Sequence, residues 1–168
     1  MLIEMKVAGI TMDPFSNTPI VILKDIQGKT ALPIWIGILE ASAIATELGD
    51  VKPPRPMTHD LLKNILERLN ATVTRVEVTD LKDNTFFATI FLSILNKSFS
   101  IDARPSDAIA LALRTNSPIY VNEKVVEDSR AVNMGKDEKL LSDSANEEQK
   151  WREILENLSP DDFGKYKM

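Results

Sequence analysis

The stretch Ile101-Asp-Ala-Arg-Pro-Ser-Asp-Ala-Ile-Ala-Leu-Ala-Leu-Arg114 decides how this chain folds. It follows a run rich in β-forming residues, and its Arg104-Pro105 pair predicts the start of a helix. Proline suits the first helical position, where its missing N–H costs no hydrogen bond. Ser106 and Asp107 would then lie in the first turn, beside free backbone N–H groups. Spacing alone favours this helix-start role for Arg104, Ser106 and Asp107 over a role in a site.

A second copy of this pattern lies earlier in the chain. Residues 40–48 align without a gap on residues 105–113, an offset of 65 residues (113 minus 48). The same offset places the apolar residues 21–23 on 86–88, so each half has the pattern strand, strand, short strand, helix. We therefore predict an α+β fold, in which a duplicated β-β-β-α unit (about 4–50 and 70–116) forms a mainly antiparallel or mixed sheet packed by helices.

Length and composition indicate an ordinary globular protein. The chain has 168 residues, of which 43% are hydrophobic and 27% charged, which fits one domain. It has no cysteine, which excludes disulfides, thiolate nucleophiles and cysteine metal clusters and favours a reducing compartment. The first residues lack a basic segment followed by a long apolar run, and we found no stretch of membrane-spanning length. We therefore expect a cytoplasmic protein without membrane contact.

The charge balance limits the ways in which the chain can bind nucleic acid. The formal net charge is −5, without the basic surplus that usually accompanies non-specific binding to phosphates. Any contact with DNA or RNA must therefore rely on a local cluster of charges or on a metal ion.

Two segments differ from the repeated units. Residues 51–60 contain three prolines in a stiff loop, followed by an amphipathic helix with apolar residues at 61, 62, 65, 66 and 69, for which Thr58 is the predicted N-cap. We assign 1–130 to one domain and 131–168 to an acidic C-terminal extension. Trp151 and its apolar neighbours predict an amphipathic helix there, for which docking on the body or on a second subunit is favoured over a ligand-binding role.

Few residues of the chain are of types that act in catalysis or bind metal ions. His59 is the only histidine, and we found no phosphate-binding glycine loop, serine-hydrolase motif or kinase motif. Carboxylates and arginines remain near predicted strand and helix ends. Two or three carboxylates could hold Mg²⁺ or Mn²⁺ for phosphodiester hydrolysis, with an arginine on the phosphoryl oxygens. Spacing does not separate such a site from turn residues, and Asp80 and Asp83 are predicted turn formers. The remaining candidates are Glu40, Arg55, Asp60, Arg75, Asp102, Arg104 and Asp107.

Four blocks of sequence resemble the bifunctional nuclease domain family, and the resemblance covers roughly residues 4–125. The blocks are Leu32-Pro-Ile-Trp-Ile-Gly37 with Glu40-Ala41, Pro53-Pro-Arg-Pro-Met-Thr-His-Asp-Leu-Leu62, Thr79-Asp-Leu-Lys-Asp-Asn-Thr-Phe86 and Asp102-Ala-Arg-Pro-Ser-Asp-Ala-Ile-Ala-Leu111. The resemblance implies a compact α+β domain that self-associates, as a dimer or trimer, and a nuclease acting on both DNA and RNA.

The same resemblance selects the candidate site. The matched residues are Glu40, Arg55, His59, Asp60, Asp102, Arg104, Ser106 and Asp107. If the two proline-anchored motifs face one cleft, Arg55 and Arg104 would bind phosphate together with Ser106. Asp102, Asp107 or Glu40 would hold Mg²⁺ or Mn²⁺ or activate water, and His59 would assist proton transfer. We expect no organic cofactor.

Two further interpretations remain open. The chain could be a non-catalytic regulatory domain whose Arg-Pro motifs bind an anionic ligand or a protein, as its acidic balance suggests. It could also be a structural oligomer in which the same motifs are only turns.

Overall fold

The computed structural model describes residues 1–133, and for residues 130–133 the backbone alone. It contains seven strands and four helices within that range. In chain order these are β1 Leu2–Met12, β2 Pro19–Asp25, β3 Ala31–Trp35, α1 Ile38–Leu48, α2 Thr58–Arg68, β4 Ala71–Lys82, β5 Thr85–Ile94, β6 Lys97–Ala103, α3 Pro105–Thr115, β7 Ile119–Asn122 and α4 Glu123–Asn133.

All seven strands form one mixed sheet in the order β3-β2-β1-β7-β4-β5-β6. Strands β1 to β3 form one antiparallel meander and β4 to β6 another, and β7 joins them. β7 is antiparallel to β1 and parallel to β4. A helix follows each meander, α1 after the first and α3 after the second. The predicted α+β fold with a duplicated β-β-β-α unit is therefore confirmed.

Two residues with a left-handed backbone form the turn between β4 and β5. Asp83 and Asn84 have φ of 49° and 57°, the left-handed pair of a two-residue hairpin turn. Asp83 is thus a turn residue, as predicted. The prediction for Asp80 was wrong, because this residue lies within β4 and its carboxylate pairs with Lys82 at 2.6 Å.

The core lies between the sheet and helices α1 and α3. In α3 the residues from Ala108 to Ala112 are all buried, as are Ala41 and Ile44 of α1. Small side chains let α3 pack closely against its neighbours, α1, α2 and the strands β4 and β5. Pro33 lies in β3, the edge strand of the first meander, which agrees with the expectation that proline cannot stand inside a hydrogen-bonded sheet.

Helix α2 differs from its neighbours because it has no buried residue. Three of its apolar side chains are exposed by 37–54%, those of Leu61, Leu62 and Ile65, and its C-cap residue Leu69 is 62% exposed. Leu66 is partly buried against the core. The helix begins at Thr58 and its N-cap is Met57, so the prediction of Thr58 as N-cap was one residue late. The backbone N–H of Met57 donates to the Asp60 carboxylate at 2.8 Å, the hydrogen bond that the third helical residue makes in a capping box.

The described chain ends on helix α4, which the sequence analysis did not predict. The predicted Trp151 helix and the extension 131–168 lie almost wholly outside the described residues. Within residues 1–133, no helix has the length and hydropathy needed to span a membrane.

Candidate functional site

Arg104 joins the starts of the two repeated helices. It is the N-cap residue of α3, with an extended backbone, and Pro105 follows it as the first helical residue. Its Nη1 donates to Oε1 of Glu40 at 2.7 Å, and its Nε donates to Oδ2 of Asp107 at 2.8 Å. Both carboxylates lie in the first turn of their helices, where the helix dipole favours negative charge.

His59 extends this cluster to the third helix start. It lies in the first turn of α2, and its Nε2 is 3.0 Å from Oδ1 of Asp107. Asp107 therefore contacts Arg104 through one oxygen and His59 through the other. We call Glu40, His59, Arg104 and Asp107 the ion-pair network.

The network lowers the pKa of Asp107. Burial raises the pKa of Asp107, but the hydrogen bonds and charges of Arg104 and His59 together hold this pKa below its ordinary value. Asp107 is therefore ionised near neutral pH and can only accept hydrogen bonds. Since its partner atom on His59 is Nε2, the neutral imidazole must carry its proton there. The lone pair of neutral His59 is then on Nδ1.

Part of the Arg104 guanidinium is free to bind another group. Its side chain is 65% exposed, whereas those of Asp107 and His59 are 32% and 13% exposed. The hydrogen bonds of Arg104 within the described chain use Nε and Nη1, which leaves Nη2 without an acceptor there. Hydrogen bonds to Asp107 and then to Glu40 raise the pKa of Arg104, so its positive charge is permanent.

Gly37 makes room for the Glu40 side chain. Gly37 is the N-cap of α1, and a Cβ added there would lie 2.2 Å from Oε2 of Glu40 and 3.0 Å from its Cδ. Any larger residue must therefore displace the carboxylate that holds Arg104. In the sequence, Gly37 is noted only as the last residue of the block Leu32-Pro-Ile-Trp-Ile-Gly37.

A second group of charges lies beside the network. Asp60 follows His59 in α2, and its Oδ1 accepts from Nε of Arg114 at 2.6 Å. The Arg114 side chain is 3% exposed. Both residues line a pocket of about 280 Å³, which Arg55 and the prolines of the 51–57 loop also line. Arg55 and Arg104 thus belong to different groups, joined through the neighbours His59 and Asp60.

Two predicted site residues stand apart from the network. Asp102 lies on β6 opposite Thr89, is exposed, and makes no side-chain hydrogen bond or ion pair with a described residue. Ser106 is only 5% exposed, and its hydroxyl has no hydrogen-bond partner within residues 1–133. The roles predicted for Asp102 and Ser106 therefore stay predictions.

The carboxylates do not form a ready metal site. In the described part of the chain, no group of three His, Cys, Asp or Glu side chains could hold a metal ion. Glu40 and Asp107 direct oxygens at Arg104, so a cation bound between them would have to displace the guanidinium. These residues do not fit a resident Mg²⁺ or Mn²⁺ in their present arrangement.

Arg114 was missed by the sequence analysis although the sequence contains a signal. It lies seven residues after Asp107, which places both on one side of α3 two turns apart. A charged residue in register with Asp107 on a mainly apolar helix suggests that a partner covers it, and Asp60 of α2 is that partner.

Comparison with known proteins shows the family. The model of the bifunctional nuclease domain matches residues 21–133. The chain therefore belongs to the bifunctional nuclease domain family.

Named relatives agree with this membership. An uncharacterized protein of Mycobacterium tuberculosis is 38% identical over 162 residues, which is 95% of this chain and 97% of that protein. Bifunctional nuclease 1 of Arabidopsis thaliana is 30% identical over 76% of this chain and 41% of the plant protein. Bifunctional nuclease 1 of Oryza sativa subsp. indica is 28% identical over 62% of this chain and 33% of the plant protein.

Proposed function

We propose that this protein hydrolyses phosphodiester bonds of DNA and RNA with little sequence selectivity, at a site centred on the ion-pair network. The family supports the reaction, since the plant relatives are named bifunctional nucleases. The observation that carries the location is the contact between His59 and Asp107 beside the exposed guanidinium of Arg104. An imidazole held by a carboxylate next to a phosphate-binding arginine is a suitable arrangement for general acid–base chemistry.

The proposed reaction begins with a phosphate held by Arg104. Its free Nη2 binds a phosphoryl oxygen and stabilises the charge that develops on the phosphorus group. Nδ1 of neutral His59 accepts a proton from water as the water oxygen bonds to phosphorus. The bond to the leaving oxygen breaks, and this oxygen takes a proton from the imidazolium or from solvent. Asp107 stabilises the imidazolium between these two transfers.

The expected Mg²⁺ or Mn²⁺ stays a prediction, and no step above depends on it. A divalent ion would supply charge stabilisation and a more acidic water. Glu40 and Asp107 could act as its ligands only after releasing Arg104. An activity that requires metal would therefore indicate that substrate binding rearranges the network.

The test is cleavage of labelled single-stranded DNA and RNA by the purified full chain, with Mg²⁺, with Mn²⁺ and with EDTA. We expect cleavage of both substrates, and we expect Arg104→Met to reduce it at least tenfold. Arg68→Met is the matched control, because Arg68 is exposed at the end of α2 and lies outside the network. Absence of cleavage under all three conditions would favour the alternative function, a non-catalytic domain that binds an anionic ligand or a protein.

We also propose that the protein works in the cytoplasm as a dimer or trimer. The support for self-association is an apolar face formed by Leu61, Leu62 and Ile65 of α2 and by its C-cap residue Leu69, which no described residue covers fully. Sedimentation analysis of the protein and of Ile65→Lys tests this proposal. A monomeric wild-type protein at micromolar concentration would contradict it.

A further inference from the structure

A pocket separate from the ion-pair network lies between the ends of α1 and α3 and the proline-rich loop. It has a volume of about 280 Å³, and its lining includes Arg55, Asp60 and Arg114 together with Pro53, Pro54 and Pro56. We call it the proline pocket. Because each proline fixes its own φ and restricts the residue before it, the loop wall is stiff and needs little ordering when a ligand binds.

Arg114 supplies a buried cation to the proline pocket. Its Nε donates to Asp60 and its Nη1 donates to the carbonyl of Ala110 at 3.0 Å. Its Nη2 has no acceptor among the described residues, although the side chain is 97% buried. A buried guanidinium usually satisfies its donors, so Nη2 is an unused donor for an acceptor from a ligand or from water.

The rim adds further positive charge. Arg55 is exposed and makes no ion pair with a described residue, and Lys52 pairs only with the highly exposed Asp50, at 3.9 Å. Two carboxylates, those of Asp60 and Glu47, also line the pocket. Three cations against two carboxylates give the pocket a local charge of +1, although the whole chain has a net charge of −5.

We propose that the proline pocket binds a phosphate group, with Arg114 at its base and Arg55 and Lys52 at its rim. Guanidinium groups match the geometry of phosphate oxygens, and a phosphate group offers more acceptor oxygens to the three cations than a carboxylate does. The volume is close to the lower limit of about 300 Å³ for small-molecule sites, which suits a phosphate with part of a sugar.

The position of the pocket suggests a source for this phosphate. Arg104 and Arg114 lie ten residues apart at the two ends of α3, a rise of about 15 Å. A nucleic acid strand with one phosphate at Arg104 could therefore place a phosphate two or three nucleotides further along in the proline pocket. This choice of source depends on the proposed nuclease function, whereas the preference of the pocket for phosphate does not. Free phosphate is the other source of the same chemistry.

The experiment measures the binding of inorganic phosphate and of 5′-AMP to the full chain by calorimetry in EDTA, with acetate as the competing anion. Arg55→Met is the test variant, because an exposed loop residue can be replaced without unfolding the protein. Arg68→Met is the matched control. Glu47→Gln removes an exposed negative charge from the rim and should change affinity in the opposite direction.

The proposal predicts binding that weakens about tenfold or more in Arg55→Met, stays within twofold in Arg68→Met and tightens in Glu47→Gln. Tighter binding of 5′-AMP than of phosphate would support the nucleic acid source, and equal affinities would support free phosphate. The proposal is overturned if neither anion binds at millimolar concentration, if Arg55→Met binds as wild type does, or if acetate competes equally. Binding without any cleavage would contradict the nuclease function alone.

Discussion

Nε2 of His59 and Oδ1 of Asp107 lie 3.0 Å apart, although 48 residues separate them in sequence. The contact exists because α2 packs on α3 with both helix starts on the same side of the domain. Asp107 thereby joins the only histidine of the chain to Arg104, and through Arg104 to Glu40. These contacts bring residues from the starts of α1, α2 and α3 together in one candidate catalytic group.

Asp107→Asn should reduce cleavage by about 10²–10⁴-fold, because the amide cannot stabilise the imidazolium of His59 and holds Arg104 less firmly. The loss should appear mainly in kcat. Asp83→Asn is the control, since Asp83 lies in a hairpin turn at φ 49°, which asparagine tolerates. Steady-state cleavage rates of both variants check the prediction, and equal rates for Asp107→Asn and wild type would contradict it.

Gly37→Ala should weaken substrate binding through Glu40. The added Cβ would lie 2.2 Å from Oε2 of Glu40, so the carboxylate must move and Arg104 loses one of its two anchors. We expect an increase in KM of several-fold. A double-mutant cycle with Glu40→Ala isolates this effect from any change in helix stability, because Gly37→Ala should add little once the carboxylate is absent. Full additivity of the two effects would show that Gly37 acts independently of Glu40.

Asp60→Ala should lower the free energy of unfolding by about 2–4 kcal/mol, because it leaves the guanidinium of Arg114 buried without its carboxylate. The corresponding fall in Tm is about 5–15 °C. Asp50→Asn removes the charge of an exposed carboxylate that pairs with Lys52 at 3.9 Å, keeps a side chain that tolerates the φ of 51° at this position, and should change stability by less than about 0.5 kcal/mol. Thermal and urea unfolding of the two variants measures their free energies of unfolding. Similar losses of stability in both variants would contradict the prediction.

Asp13 should contribute stability that disappears in strong acid. Hydrogen bonds from the Phe15 backbone, from the indole of Trp35 and from Ser16 lower its pKa from 3.8 to about 2. Because the folded-state pKa is the lower one, this contribution is complete above about pH 4 and is lost as the pH falls through 2. The stability difference between wild type and Asp13→Asn should therefore shrink between pH 5 and pH 2. A difference that stays constant over this range would contradict the assignment.

Much of the fold could be predicted from the sequence, because the same pattern of apolar and polar residues occurs twice at an offset of 65 residues. The same local preferences therefore form the same elements in both copies. The β-β-β-α units, the Pro105 helix start and the turn at Asp83 depend on neighbouring residues, and all three are confirmed. The place of strand β7 between the two meanders depends on pairing with β1 and β4, which no local pattern encodes.

The residues of the candidate site could be predicted from the sequence, but the contacts between them could not. Helix-start chemistry and site chemistry are alternatives for Arg104 and Asp107 in the sequence. The structure places Arg104 at the N-cap and Asp107 in the first turn of α3, where Asp107 contacts both Arg104 and His59. The pairing of Asp60 with Arg114 could not be predicted, because it depends on how α2 packs on α3. The space that Gly37 leaves for Glu40 is likewise a property of the folded helix start.

The most direct test of the account is the cleavage rate of one labelled single-stranded oligonucleotide by wild type and by His59→Gln, with Arg68→Met as the control. We expect His59→Gln to retain the circular dichroism spectrum and Tm of wild type and to lose about 10²-fold or more in kcat, while Arg68→Met stays within twofold. A His59→Gln protein that cleaves at the wild-type rate would show that the ion-pair network is not the catalytic site.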